Sequence, residues 1–266
     1  MNSRWRTKAS AHLLAETGAK TVEEGIIRIV DRVKRTAFAQ GHTKGTLSPP
    51  YDPAPLAISL GANDVRPARL AYDGHVLVEG EKVIVEYAEA AKSEKRKRFT
   101  IAHEVGHLVI WNVSQDRRRL PARRSPTGSE IEELCNKLAA EILAPRREVQ
   151  RLWSTSLKAG PFSKADFVLK LAGQFDISLN FASMRFKEVC VHRSGAALLN
   201  IPEKRFEWCH GIASQFRLLK GLIASLPSLQ SAGANSYSVD AARGTRTIPF
   251  EWRLLSGGRY LVITLL

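Results

Sequence analysis

Over residues 21–39, apolar side chains return every three or four positions (Val22, Ile26, Ile29, Val30, Val33). This is the spacing of a helix with one buried face, and Thr21 or an earlier residue can cap its start. Residues 1–20 carry no such pattern and read as a loosely attached arm. Residues 41–55 hold too many prolines for regular structure and read as a loop, followed by a short helix over 56–60 that ends at Gly61. The period then drops to two. Residues 75–78 and 83–87, with Val83, Val85 and Tyr87 alternating, flank E-G-E-K and predict a hairpin turning at Gly80.

Helical spacing returns at Phe99, Ala102, Gly106, Val109 and Ile110, with Ser93 before Glu94 as a capping residue. Residues 114–129 are polar, rich in arginine and contain two prolines, which predicts a loop. Ile131, Leu134, Leu138 and Ile142 mark a helix over 130–143, stopped by Pro145. On an adjoining face lie Glu132, Cys135, Asn136 and Ala139, small or polar residues against which a second helix can come close. Residues 153–163 read as a linker. Two helices, 163–175 and 179–189, follow, joined at F-D-I-S in a spacing like that of a helix-turn-helix unit. Beyond 190 the pattern suggests a small α+β region, with a helix over 206–224 and a hairpin in which 252–255 and 260–263 flank S-G-G-R.

Composition narrows the class. A chain of 266 residues can bury a substantial core. No apolar run is long enough to span a bilayer, and the polar N-terminus lacks an apolar signal core, so a cytoplasmic protein with no membrane partner is expected. Three scattered cysteines do not make a disulfide framework. The balance of 40 Lys+Arg against 26 Asp+Glu gives a net charge of +14. The basic residues cluster at 95–98, 117–119, 123–124 and 146–147, beside predicted elements. Solvated faces are the first reading of such clusters, and nucleic-acid contact the second.

The chemistry is concentrated in H-E-x-x-H: His103, Glu104 and His107. On a helix, positions i and i+4 share a face, so both imidazoles can reach one metal ion, with Glu104 placed to act on a water there. Two histidines suit Zn2+, which in catalytic sites takes three protein ligands and keeps one position open. The third ligand must come from elsewhere. Glu130, Glu132, Glu133 and Glu141 all lie on the next helix, and Glu132 shares the small-residue face, which makes it the choice. Cys135 is the alternative donor. Asn136, four residues past Glu132, can accept the free ring N–H of a liganding histidine and so fix its tautomer. His75, Tyr87 and His192 are the candidates for stabilising an oxyanion. A second metal cluster from Cys190, His192, Cys209 and His210 matches no standard finger spacing.

Two stretches together carry a resemblance. R-F-T-I-A-H-E-V-G-H-L (98–108) and E-E-L-C-N-K-L-A-A-E-I-L-A-P (132–145) resemble the ImmA/IrrE family of metallopeptidases, and P-Y-D-P-A-P-L-A-I-S-L-G-A (50–62) does so more loosely. The chain departs from the family pattern at Cys135 (usually Ala), Leu138 (Phe), Ile142 (Leu) and Ala144 (Met). The resemblance implies His103, His107 and Glu132 as zinc ligands and Glu104 as the catalytic glutamate. It implies an α+β, zincin-like metallopeptidase domain over 21–150, in which a small sheet supports the H-E-x-x-H helix and a Glu-bearing helix. A helical, helix-turn-helix-like region would fill 151–189, with 190–266 a C-terminal α+β region of no assigned role. The implied activity is endopeptidase cleavage of a protein substrate, a helix-turn-helix transcriptional repressor, in stress response or mobile-element control. The alternative is a basic regulator that binds DNA or a repressor, with a structural or inactive metal site.

Overall fold

A computed structural model describes residues 8–42, 48–91, 93–114, 130–159, 163–190, 194–200, 205–210, 232–241 and 244–265. The chain divides into two compact units, residues 1–146 and 147–266.

In the first unit, α1 (Lys8–Thr17) and α2 (Val22–Ala39) pack together. From Lys8 onward the N-terminal stretch is therefore a packed helix and not a loose arm. Leu13 is buried, the Thr17 hydroxyl donates to the Leu13 carbonyl, and Gly25 of α2 brings its backbone against both residues. Thr21 caps α2 by accepting from the Glu24 N–H at 3.2 Å, and Val22, Ile26, Ile29, Val30 and Val33 form the buried face as their spacing requires. Lys34 on that face is also buried. Its ammonium donates to the Ile142 carbonyl at 3.1 Å and lies 3.5 Å from the centre of the Tyr51 ring. A cation suits the carbonyl end of a helix, and the ring face offsets part of its lost hydration. Arg98 donates in turn to the Tyr51 carbonyl, which ties the proline-rich segment to the histidine helix.

The short helix α3 is Ala54–Ser59. The sheet that follows has the order β1-β3-β2, with β1 (Asp64–Ala68), β2 (Gly74–Glu79) and β3 (Lys82–Ala88). The β2–β3 hairpin turns at Gly80 (φ 61°) as expected. Strand β1 was not foreseen. It pairs parallel with β3, and its sequence D-V-R-P-A hides it because Pro67 and two charged residues break the apolar alternation.

Helix α4 (Glu94–Ser114) packs on β2 and β3, and α5 (Glu130–Leu143) packs on α4. Ser93 caps α4, accepting from the Arg96 N–H at 3.2 Å. Leu134, Cys135, Leu138 and Ala139 of α5 are 0% exposed. The two helices meet at Gly106, where an added Cβ would lie 2.9 Å from the Cys135 Cα and 3.1 Å from its Cβ. The expected loop over 114–129 falls, past Ser114 itself, outside the described residues.

The second unit begins with α6 (Arg146–Lys158), which replaces most of the expected linker. Its few apolar side chains are enough because they are well placed: Val149 is fully buried, and Trp153 packs edge-on against Phe167 and Phe186. Those rings belong to α7 (Lys164–Phe175) and α8 (Leu179–Val189), the expected helical pair. Ser163 and Ser178 cap the two helices, and Asp176 makes the turn between them in the left-handed region at φ 49°. Both pack on a five-stranded antiparallel sheet of order β5-β4-β8-β7-β6. Its strands are β4 (Ser194–Asn200), β5 (Arg205–His210), β6 (Ala232–Ala241), β7 (Gly244–Leu255) and β8 (Arg259–Leu265). The helical pair and the C-terminal strands thus share one unit. The helix expected over 206–224 is corrected at its start, where β5 pairs with β4 through Leu198–Trp208 and Leu199–Phe206; residues 211–224 lie outside the described residues. The β7–β8 hairpin closes through Gly257 (φ 70°) at S-G-G-R.

Gly106 gives a direct test of the α4–α5 contact. In an exposed helix Gly→Ala stabilises by about 1 kcal/mol. Here the new methyl meets the backbone of α5, so Gly106→Ala should instead lower stability in urea unfolding by about 1–3 kcal/mol.

Candidate metal centre

The α4–α5 contact brings three of the sequence-selected side chains to one point. His103 and His107, one turn apart on α4, have ring centroids 5.0 Å apart. The Glu132 carboxylate, on α5, faces both: Oε2 lies 3.1 Å from His103 Nε2, and Oε1 lies 3.5 Å from His107 Nε2. Asn136 Oδ1 lies 3.0 Å from His103 Nδ1 and accepts its proton. With its proton held at Nδ1, a neutral His103 ring turns the Nε2 lone pair toward a carboxylate oxygen. Two acceptors face one another, and only a cation between them, a proton or a metal ion, makes the arrangement favourable.

Burial sets the charge of the other groups. Desolvation, with His103 beside it, lowers the His107 pKa to about 4, so this ring is neutral at pH 7, the form that binds metal. Glu104 is buried on the same helix. Desolvation and the nearby Glu132 charge raise its pKa to about 8. Its neighbour on the sheet is Gly74, where an added Cβ would lie 3.5 Å from Glu104 Oε1, 2.5 Å from Thr100 Cγ2 and 2.8 Å from the Glu86 carbonyl oxygen. β2 can lie this close to the H-E-x-x-H turn because that position has no side chain. Nothing in the amphipathic pattern pointed to Gly74.

Cys135 also borders the site, its Sγ and one ring nitrogen of each histidine all lying within 4.8 Å of one another. Burial and the nearby carboxylates push its thiol pKa well up, whereas the partly exposed Glu132 carboxylate meets both Nε2 atoms directly. Glu132 is therefore the better third donor. Glu141 accepts instead from the Arg146 N–H at 3.0 Å, which binds it to the chain end of its own helix. The donor set of two nitrogens and a carboxylate oxygen, with one ring oriented by an amide, fits a zinc ion.

The oxyanion candidates separate by strand alternation. Gly74 and Tyr87 are opposite one another in the β2–β3 register, as are His75 and Glu86. Gly74 faces α4, and so does Tyr87, whose ring lies 5.0 Å from the Lys97 ammonium. His75 must therefore point to the other face, where it lies 3.4 Å from Glu86 and bonds the Tyr72 hydroxyl. His75 is withdrawn as an oxyanion donor. His192 lies outside the described residues, and only the backbone of Cys209 and His210 is described, which leaves the second cluster without a geometry.

The basic run at 95–98 is engaged with the protein itself. Arg96 pairs with Asp73, Lys97 with Glu94 and the Tyr87 ring, and Arg98 with the Tyr51 carbonyl. Among the described residues, no helix is long and apolar enough to cross a membrane.

Residues 58–187 match the IrrE N-terminal-like domain family, Peptidase_M78. No curated protein matches the chain. A solved structure described as a Mycobacterium tuberculosis transcriptional regulator is 12% identical, with 88% of this chain and 86% of that chain covered and a TM-score of 0.44, too distant a likeness to argue from. The matched span holds the histidines, both glutamates and the amide, and it supports membership of the ImmA/IrrE family through a domain of the metallopeptidase type.

Proposed function

We propose that this chain is a zinc-dependent endopeptidase that hydrolyses a peptide bond in a helix-turn-helix transcriptional repressor. The observation that carries the reading is the convergence of His103, His107 and Glu132 on one point, with Glu104 buried on the adjoining turn. In this reading the three converging side chains hold the ion through Nε2, Nε2 and a carboxylate oxygen. When bound, zinc supplies Lewis acidity that polarises a carbonyl and acidifies water.

The chain's own residues then move the proton. A Glu104 carboxylate oxygen takes a proton from the attacking water as its oxygen bonds to the carbonyl carbon. The same oxygen gives that proton to the leaving amide nitrogen as the C–N bond breaks. The raised pKa of about 8 is that of the metal-free pocket, where Glu104 holds a proton near neutral pH; a divalent ion held beside it would favour the ionised carboxylate, the form that takes the water proton. Asn136 keeps His103 in the Nδ1–H tautomer. Because the 95–98 cluster is engaged within the fold, it offers less to a nucleic-acid backbone than its charge suggests, which weighs against the DNA-binding alternative.

Glu104→Gln should keep stoichiometric zinc and lose at least about a hundredfold in cleavage of a repressor encoded nearby, read by gel and mass spectrometry. Full activity in this variant would remove Glu104 as the base. A stable complex with intact repressor, and no fragments from the wild type, would favour the non-cleaving regulator. His103→Ala should lose its zinc, and Asn136→Ala should weaken zinc by about 10–100-fold in a competition titration.

The metal-free protein gives a pH-dependent test. The folded pKa of Glu104, about 8, lies above its ordinary value of 4.5, so the folded state holds a proton that the unfolded chain releases. Stability at this residue is intact below pH 4.5 and falls as pH rises toward 8. Glu104→Gln, neutral throughout, should therefore stabilise the metal-free protein by about 1–3 kcal/mol at pH 7, with the gain vanishing below pH 4.5.

A further inference from the structure

The site holds one donor that the proposed reaction does not use. Cys135 follows Glu132 by three residues on α5, so both side chains look toward α4 from one helix face. The backbone contact at Gly106 presses Cys135 into α4 within the H-E-x-x-H turn, since Gly106 falls between His103 and His107 in sequence. Cys135 Sγ and a ring nitrogen of each histidine come within 4.8 Å of one another. The residue is 0% exposed and is a free thiol; among the described residues it has no hydrogen-bond partner. A buried polar atom without a partner, set against two imidazoles, is ordinarily either a packing residue or a ligand. The packing role asks only for a small side chain here. The convergence on both histidine nitrogens is what a ligand adds.

We propose that Cys135 is a further metal donor, so that the centre offers a thiophilic divalent ion two nitrogens, an oxygen and a sulfur. The inference rests on the metal reading of the site given above. Ligation breaks the S–H bond, forms a sulfur–metal bond and releases one proton to solvent, with no change of oxidation state. Four protein donors make the closed coordination of a structural zinc site, whereas three leave a position for water. Sulfur therefore competes with the water that hydrolysis needs. Occupancy of Cys135 sets whether the centre is closed and held for stability or open for reaction. The same sulfur biases the site toward zinc, cobalt and cadmium and away from magnesium or manganese.

The test uses the full-length chain, stripped of metal and titrated with Co(II), read by electronic absorption. The wild type should develop a near-ultraviolet thiolate-to-Co(II) charge-transfer band. Cys135→Ala should still bind Co(II) through the histidines but lack the band, and its Cd(II) affinity should fall by about tenfold or more. A Cys190→Ala, Cys209→Ala double variant should keep the band, which assigns the sulfur. Co(II) bound by the wild type in a His103-dependent manner without the band would overturn the role of Cys135 and leave the two-histidine, one-glutamate site standing. A folded wild type that takes up no Co(II) would overturn both readings.

Discussion

The backbone approach of α4 and α5 at Gly106 and Cys135 is the constraint on which the site depends. A Cβ on Gly106 would sit 2.9 Å from the Cys135 Cα, closer than side-chain carbons come to a backbone. With hydrogen there, α5 can lie near enough for the Glu132 carboxylate to reach both imidazoles, at 3.1 and 3.5 Å. A helix pair spaced by ordinary side chains stands about 8–10 Å apart between axes, and the small faces of both partners here allow the nearer end of that range. β2 makes a second close approach at Gly74, beside the Glu104 carboxylate. Two glycines, far apart in sequence, thus let α5 and β2 each come close to α4.

Burial then decides charge. Both His107 and Glu104 are shifted toward their neutral forms by loss of water, one downward and one upward. The metal-free site is left with donor atoms facing each other and little charge to hold them. A divalent ion would supply what is missing, since it needs neutral imidazoles and a carboxylate. This is the ordinary coupling of metal binding to protonation, seen here from the protein's side.

Several of the basic residues have partners within the fold. Lys34 caps the C-terminal end of α5 from a buried position, and Arg98 holds the proline-rich segment against α4. Arg66 binds the buried Glu86 through Nε and Nη2 at 2.9 and 2.8 Å on the far face of the sheet. In the second unit, Arg185 is itself buried and pairs with Glu188. These cations stabilise because each meets an acceptor or a ring, whereas a buried charge without one costs several kcal/mol.

The sequence by itself determined the elements whose signals are local. Helical spacing marked α2, α4, α5, α7 and α8, with Thr21 and Ser93 as caps, and Gly80 and Gly257 marked the two hairpins. Spacing also put His103 and His107 on one face and favoured Glu132 over its neighbours, because periodicity records which side chains share a surface. Signals that depend on distant partners were not legible. β1 exists because β3 offers it a parallel ladder, and α6 because Trp153 finds Phe167 and Phe186. β5 took residues that look helical because β4 supplied an edge. His75 was turned away from the site by strand parity, which follows from the register and not from composition. Only the tertiary structure decided that Glu132, Cys135 and both histidines share one volume, since helix spacing fixes a side chain's direction but not which surface it meets.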